Sequence, residues 1–152
     1  MLPSANFNTN ILQAIPPGII KDNAAFTANV IDLAAEAVRG AQFLTFVVQL
    51  GSIDADMAVL RVMESDTKTN DTTLGGSPAA VVNVLTTVTP GASDDNKLYL
   101  VTVDLRATRE RYLQLQATAG DGAAGTYLSA LCFAVCPASV QTNNNAAAKV
   151  AA

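Results

Sequence analysis

Two aspartates two residues apart, Asp54 and Asp56, are the first candidates for chemistry in this sequence. Carboxylates at that spacing share a metal ion or divide acid and base work between them. A calcium loop needs six to eight oxygens, with a glycine and a distal bidentate acid at fixed spacing, and that spacing is absent here. The pair therefore reads as a solvated turn. Asp94-Asp95-Asn96 also reads as turn chemistry, because Asp and Asn tolerate the backbone conformations that turns need. Gly120, Gly122 and Gly125 spell G-x-G-x-x-G. As a dinucleotide fingerprint that string has to follow a first strand and open a helix. Here it joins two strand-like runs, which predicts a hairpin loop instead. The 152 residues include no His, so imidazole catalysis and His-containing metal sites are excluded. The hydroxyl side chains lack an activating base, and Lys21, Lys68, Lys97 and Lys149 stand in no pattern that supplies one. The expectation is a protein without catalytic residues, metal ligands or cofactor.

Arg106, Arg109 and Arg111 form the one local basic concentration, with Asp104 and Glu110 interleaved. This predicts an ion-paired turn between strands in which Arg109 and Arg111 reach Asp104; a clamp for phosphate or a partner's carboxylate is the alternative. Thirteen acids outnumber nine Lys and Arg, giving a net charge of -4. No basic stripe is present to neutralise phosphates, so nucleic acid is not an expected partner. Cys132 and Cys136 lie on one face of a predicted strand, about 13 Å apart at the usual rise, too far for a disulfide between them. No run of about 18 apolar residues occurs, so no membrane partner is expected. No secretory pattern is visible at the N-terminus, which predicts synthesis in a cytoplasm.

These groups need strands to hold them. Phe43 to Leu50 alternates, with Leu44, Phe46, Val48 and Leu50 on one face and Thr45 and Gln49 on the other. Met57 to Glu64 alternates less cleanly, with Ala58, Leu60 and Val62 opposite Arg61. Residues 80–89 are rich in β-branched types and end at Pro90-Gly91, a turn signal. Lys97 to Leu105 places Tyr99, Val101, Val103 and Leu105 together. Tyr112 to Thr118 puts Leu113, Leu115 and Ala117 inside and Gln114, Gln116 and Thr118 outside. Thr126 to Cys136 is apolar on both faces, as a central or interface strand is. Between residues 24 and 40 a strand over Asn29 to Leu33 and a helical turn over Leu33 to Arg39 are expected.

Short strands separated by turn clusters predict an all-β fold, an antiparallel β-sandwich of jelly-roll type, over residues 26–136. Residues 1–25 read as an extended N-terminal arm carrying Phe7, Ile11, Leu12 and Ile15 as apolar anchors. Residues 137–152, rich in Ala and Asn, read as a flexible tail. Hydrophobic residues make up 50% of the chain and charged ones 14%, against roughly 25% charged in an ordinary soluble domain. Such a surface suits contact with other protein.

The stretches Asp104-Leu105-Arg106, Arg109-Glu110-Arg111-Tyr112-Leu113, Thr118-Ala119-Gly120-Asp121-Gly122 and Gly125-Thr126-Tyr127-Leu128-Ser129-Ala130, with residues 48–56 upstream, resemble small head-associated proteins of tailed bacteriophages. The resemblance covers residues 43–136 and leaves out the arm and tail. It implies a β-sandwich subunit on a virion capsid surface, of the decoration or cement kind, with the major capsid protein as partner. The expected assembly is a homo-oligomer, a trimer favoured. Tyr112 and Tyr127, each an apolar ring with a polar tip, suit an interface. The expected interface residues are thus Phe7, Ile11, Leu12, Ile15, Arg106, Arg109, Arg111, Tyr112 and Tyr127. A carbohydrate- or receptor-binding sandwich on the virion, or a self-assembling coat, neck or tail component, are the alternative readings.

Overall fold

The alternation in these runs is the signature of strands that bury one face, and the computed structural model of the chain is all-β and antiparallel. It describes residues 8–18, 20–76 and 89–136. Phe7, the expected strand over residues 80–89 and the tail lie outside the described residues, Thr89 apart.

Nine strands are described. They are β1 (Asn8–Ile15), β2 (Val30–Asp32), β3 (Phe43–Leu50), β4 (Val59–Ser65), β5 (Lys68–Asn70), β6 (Thr73–Leu74), β7 (Leu98–Asp104), β8 (Tyr112–Thr118) and β9 (Leu128–Cys136). One sheet has the order β1-β9-β3-β7 and a second the order β2-β8-β4. Apart from the small β5–β6 hairpin, consecutive strands belong to alternate sheets, the winding of a jelly roll.

The core lies between the sheets. Leu44, Phe46, Val48 and Leu50 of β3 are buried, as are Val101 and Val103 of β7. From the other sheet come Leu113, Leu115 and Ala117 of β8, Val62 of β4 and Ile31 of β2. Each carries its apolar atoms into a layer about 10 Å thick. These are the faces the alternation predicts. On β9 the inward residues are small: Ala130, Cys132 and Ala134.

Several expectations need correcting. The arm over Asn8–Ile15 is a strand of the sandwich itself, paired with β9 from Asn8↔Cys136 to Ile15↔Ala130. A bulge between Gln13 and Ile15 adds one residue, and Ala14 and Ile15 are both buried. The expected helical turn after β2 is a run of turns, with one i→i−4 bond from the Arg39 N–H to the Ala35 carbonyl at 2.9 Å, closed by Gly40 at positive φ.

Gln114, expected outside, is 6% exposed. The β5–β6 hairpin lies over the outer side of the three-stranded sheet, held by Ser65 Oγ donating to the Gly75 carbonyl at 2.8 Å. Beneath it Leu74 packs with Met63 and Tyr112. Gln114 Nε2 donates to the carbonyls of Ala28 (2.9 Å) and Thr72 (2.8 Å), and so joins the sheet to its cover.

Leucine at position 114 would keep the volume and orphan both carbonyls. Gln114→Leu is expected to cost about 2 kcal/mol, read as a lower urea midpoint at unchanged slope. Gln116→Leu, which loses only the exposed bond to Arg61, is expected to change the midpoint little.

Candidate functional site

The residues singled out for chemistry close loops. Asp54 Oδ2 accepts the Ala123 N–H at 2.6 Å and also the Ala124 N–H. Its carboxylate therefore fills the glycine loop, and these backbone bonds hold it below the usual carboxylate range. Gly125 has φ of 78°, the left-handed region where a side chain would be strained. Because β8 and β9 belong to different sheets, this loop is a crossover and not the expected hairpin. Asp56 turns to another loop, where Oδ1 accepts the Ala92 N–H at 2.8 Å. The two aspartates share no ligand position, and the described residues include no group of three or more acids or cysteines placed to hold a metal. Asp94 accepts from Lys97, from the Tyr99 hydroxyl and from the Gly91 N–H. Asp95 accepts the Ile53 N–H at 2.8 Å.

The arginine cluster divides in the same way. Arg106 makes a two-pronged contact with Asp104, Nε to Oδ1 at 2.9 Å and Nη2 to Oδ2 at 2.7 Å. This holds the Asp104 carboxyl at about 2. Arg109 reaches only the Asp104 carbonyl and its own neighbour's. Arg111 pairs with Asp32 at the end of β2. The reason is topological: residues 105–111 carry the chain from one sheet to the other, so Arg111 enters beside β2 rather than opposite Asp104.

What remains is a surface. Direct pairing fixes which residues share the outer face of the four-stranded sheet. Ile11, Phe133, Thr45 and Thr102 form one row. Gln13, Leu131, Val47 and Leu100 form the next, and Ser129, Gln49 and Leu98 a third. Above them run Thr9, Val135, Phe43 and Asp104. Ile11, Leu98 and Leu100 are 62%, 65% and 64% exposed. Phe43, Val47, Leu131, Phe133 and Val135 are partly exposed. Large apolar residues scattered singly over a surface are ordinary, but contiguous ones mark interaction sites.

Tyr127 extends this face. The Gly51 N–H donates to the Tyr127 carbonyl and the Tyr127 N–H to the Ser52 carbonyl, continuing the β3–β9 ladder. A Cβ on Gly51 would lie 2.8 Å from that of Tyr127, so glycine leaves room for the tyrosine. Beside it a hollow of about 570 Å³ opens between Pro17, Gly18, Gln49 and Ser129.

In its four rows the face carries one charge, Asp104, at a corner. Arg106 neutralises it and also lies over the Phe43 ring, 4.7 Å from the centroid. No described strand packs on this side, whereas the corresponding side of the other sheet is covered at its Tyr112 and Met63 end by the β5–β6 hairpin.

Of the expected interface residues, the structure brings Ile11, Arg106 and Tyr127 to this face. Ile15 and Leu12 point into their own core. Tyr112 is buried under the hairpin, with Arg111 and Lys68 against its ring. Arg109 and Arg111 hold loops. The sequence reading missed Leu98, Leu100, Leu131 and Phe133. The signal was present in the doubly apolar run from Thr126 to Cys136, and in leucines on the far side of a strand whose inner face was already filled. Comparison with protein-family models, characterised proteins and solved structures found no match for the chain.

The carboxylates generate a pH expectation. Asp32, Asp54, Asp94 and Asp104 are all held below the usual value. Their contribution is present above the unfolded value of about 3.9 and lost as pH falls through the folded values. Glu110, raised by its contact with Asp66, works in the opposite sense. Four groups oppose one, so the melting temperature should fall between about pH 4 and pH 2. With no His in the chain, it should stay flat between about pH 5.5 and 7.5. Calorimetry across that range reads both, and Asp104→Asn should flatten part of the acid limb.

Proposed function

We propose that this chain is a structural protein of a virion, a decoration or cement subunit that binds over junctions between major capsid subunits and stabilises them. The observation that carries the reading is the outer face of the four-stranded sheet, where large apolar side chains adjoin and the one charge sits neutralised at a corner, a surface that marks the chain as a subunit of an assembly. Cementing a shell needs contact area repeated over a lattice, where modest single affinities multiply by avidity. It needs no reacting group, and the carboxylates of Asp54, Asp56 and Asp94 are engaged with loop N–H groups and with Lys97. The charged residues at the rim, Arg106 and Asp104, suit a polar border around an apolar centre. Jelly rolls occur in viral capsid and lectin domains alike, so the winding is compatible with the role but does not select it.

A second reading, a carbohydrate-binding module on the virion, draws on the hollow beside Tyr127. There an aromatic ring, the Gln49 amide and the Ser129 hydroxyl lie together, as a sugar would require. Its aromatic supply is thin: the chain has no Trp and only three Tyr.

Co-sedimentation of the full chain with phage heads that lack it separates the two. Decoration predicts saturable binding with a fixed number of copies per head and a higher melting temperature of the loaded shell. Unchanged sedimentation at concentrations up to about 100 μM, a −5 to −6 kcal/mol ceiling on any single contact, would remove the reading. Specific hits on a glycan array would favour the second.

A further inference from the structure

We propose that the outer face of the β1-β9-β3-β7 sheet is closed by the same face of a second copy, in a two-fold, sheet-on-sheet contact. The inference rests on the assembly reading above and names the first partner in it.

Area is the first argument. Four strands of seven to nine residues span roughly 19 Å by 25 Å at the usual spacing and rise, about 480 Å² in flat projection. Exposed Tyr127 continues the face beyond these rows, toward the roughly 800 Å² that each partner contributes to a standard stable interface.

Charge is the second. Each chain carries a net charge of -4, so two copies repel unless they meet where that charge is absent. A two-fold contact is self-complementary, and every charge inside it risks meeting its own kind. The rows from Ile11 to Thr102, from Gln13 to Leu100 and from Ser129 to Leu98 contain no charged residue at all. The one charge, Asp104, is at a corner and already paired with Arg106.

Relief is the third. On β9 the large residues Leu131, Phe133 and Val135 project outward while Ala130, Cys132 and Ala134 fill the core side. In the row of Phe133, Thr45 and Thr102 form a strip lower than that ring, their hydroxyls 3.2 Å apart. Ridges beside a lower strip are what two sheet faces need to interdigitate at about 10 Å separation. One sheet face is saturated by one partner, so the contact makes a dimer, not the trimer expected from the sequence.

Sedimentation equilibrium of the full chain from 1 to 100 μM tests the contact. Twice the 15.7 kDa chain mass is expected, with dissociation in the micromolar range or below. Leu98→Glu with Leu100→Glu places charges on two residues that are already exposed, so the fold should hold. This pair should weaken association at least 100-fold. Should it unfold, Leu98→Ala with Leu100→Ala should still weaken association about tenfold. Arg61→Ala, on the opposite sheet, should leave it unchanged. A monomer at 100 μM, a trimer, or a dimer indifferent to both leucine pairs would each overturn the proposal. Head binding scores the functional reading separately. Heads bound by a wild-type monomer would sink the dimer and keep the cement role, and a dimer that ignores heads would do the reverse.

Discussion

The pairing of β9 with β3 over eight residues, from Phe43↔Val135 to Leu50↔Leu128, is the constraint on which the rest of this structure depends. Side chains alternate faces along a strand, so a slip of one residue would exchange the two sides. On β9 that exchange would drive Leu131, Phe133 and Val135 into a core already filled by Phe46, Leu44 and Val48, and bring Ala130, Cys132 and Ala134 to the surface. Overpacking by several methylenes is costly in a close-packed interior. The register is thus fixed by the small residues of β9 as much as by the large residues of β3. Fixing it also fixes an outer face that is apolar, because the bulky side chains have nowhere else to go.

Charge is distributed to match. The ion pairs of the described residues lie in loops or at strand ends: Asp32 with Arg111, Asp94 with Lys97, Asp104 with Arg106, Lys68 with Asp71. Each is at least partly exposed and contributes modestly on its own. Their value is geometric. Asp54, Asp56, Asp94 and Asp95 each accept a backbone N–H from a loop, three of them across a gap of 36 positions or more in sequence. Those three are long-range staples for described strands that alternate between two sheets.

The strand faces were legible in the sequence because a period of two is a direct consequence of the pleat. β3, β7 and β8 bury the residues their alternation marks, down to Leu44, Val103 and Leu115. What the pattern could not carry was which sheet a strand joins. Arg111 was expected near Asp104 because they are close in sequence, yet crossing to the other sheet brings it to Asp32. Gln114 looks solvated by its type and position, and only the hairpin folded over it makes it buried. Likewise the run Asn8 to Ile15 resembles an arm because its apolar residues are interrupted by Asn and Gln. As a sheet edge it needs only Leu12, Ala14 and Ile15 inward, with Asn10 bonded to the Ala37 carbonyl at 2.7 Å. Of the surface proposed as the interface, Ile11 and Tyr127 were visible by type. The leucines of β7 and the large side chains of β9 became visible only when register placed them beside each other.

The pairing of Asn8 with Cys136 has a geometric consequence of its own. The first and last described strands are neighbours, so the backbone at residue 8 lies about 5 Å from that at residue 136. In outline the sandwich is nearly a closed loop of chain, and both ends of it leave from one corner of one sheet, next to Val135 and Phe43. The corner at residues 8 and 136 and the rim with Tyr127 and its hollow thus lie at opposite ends of the β1–β9 pair.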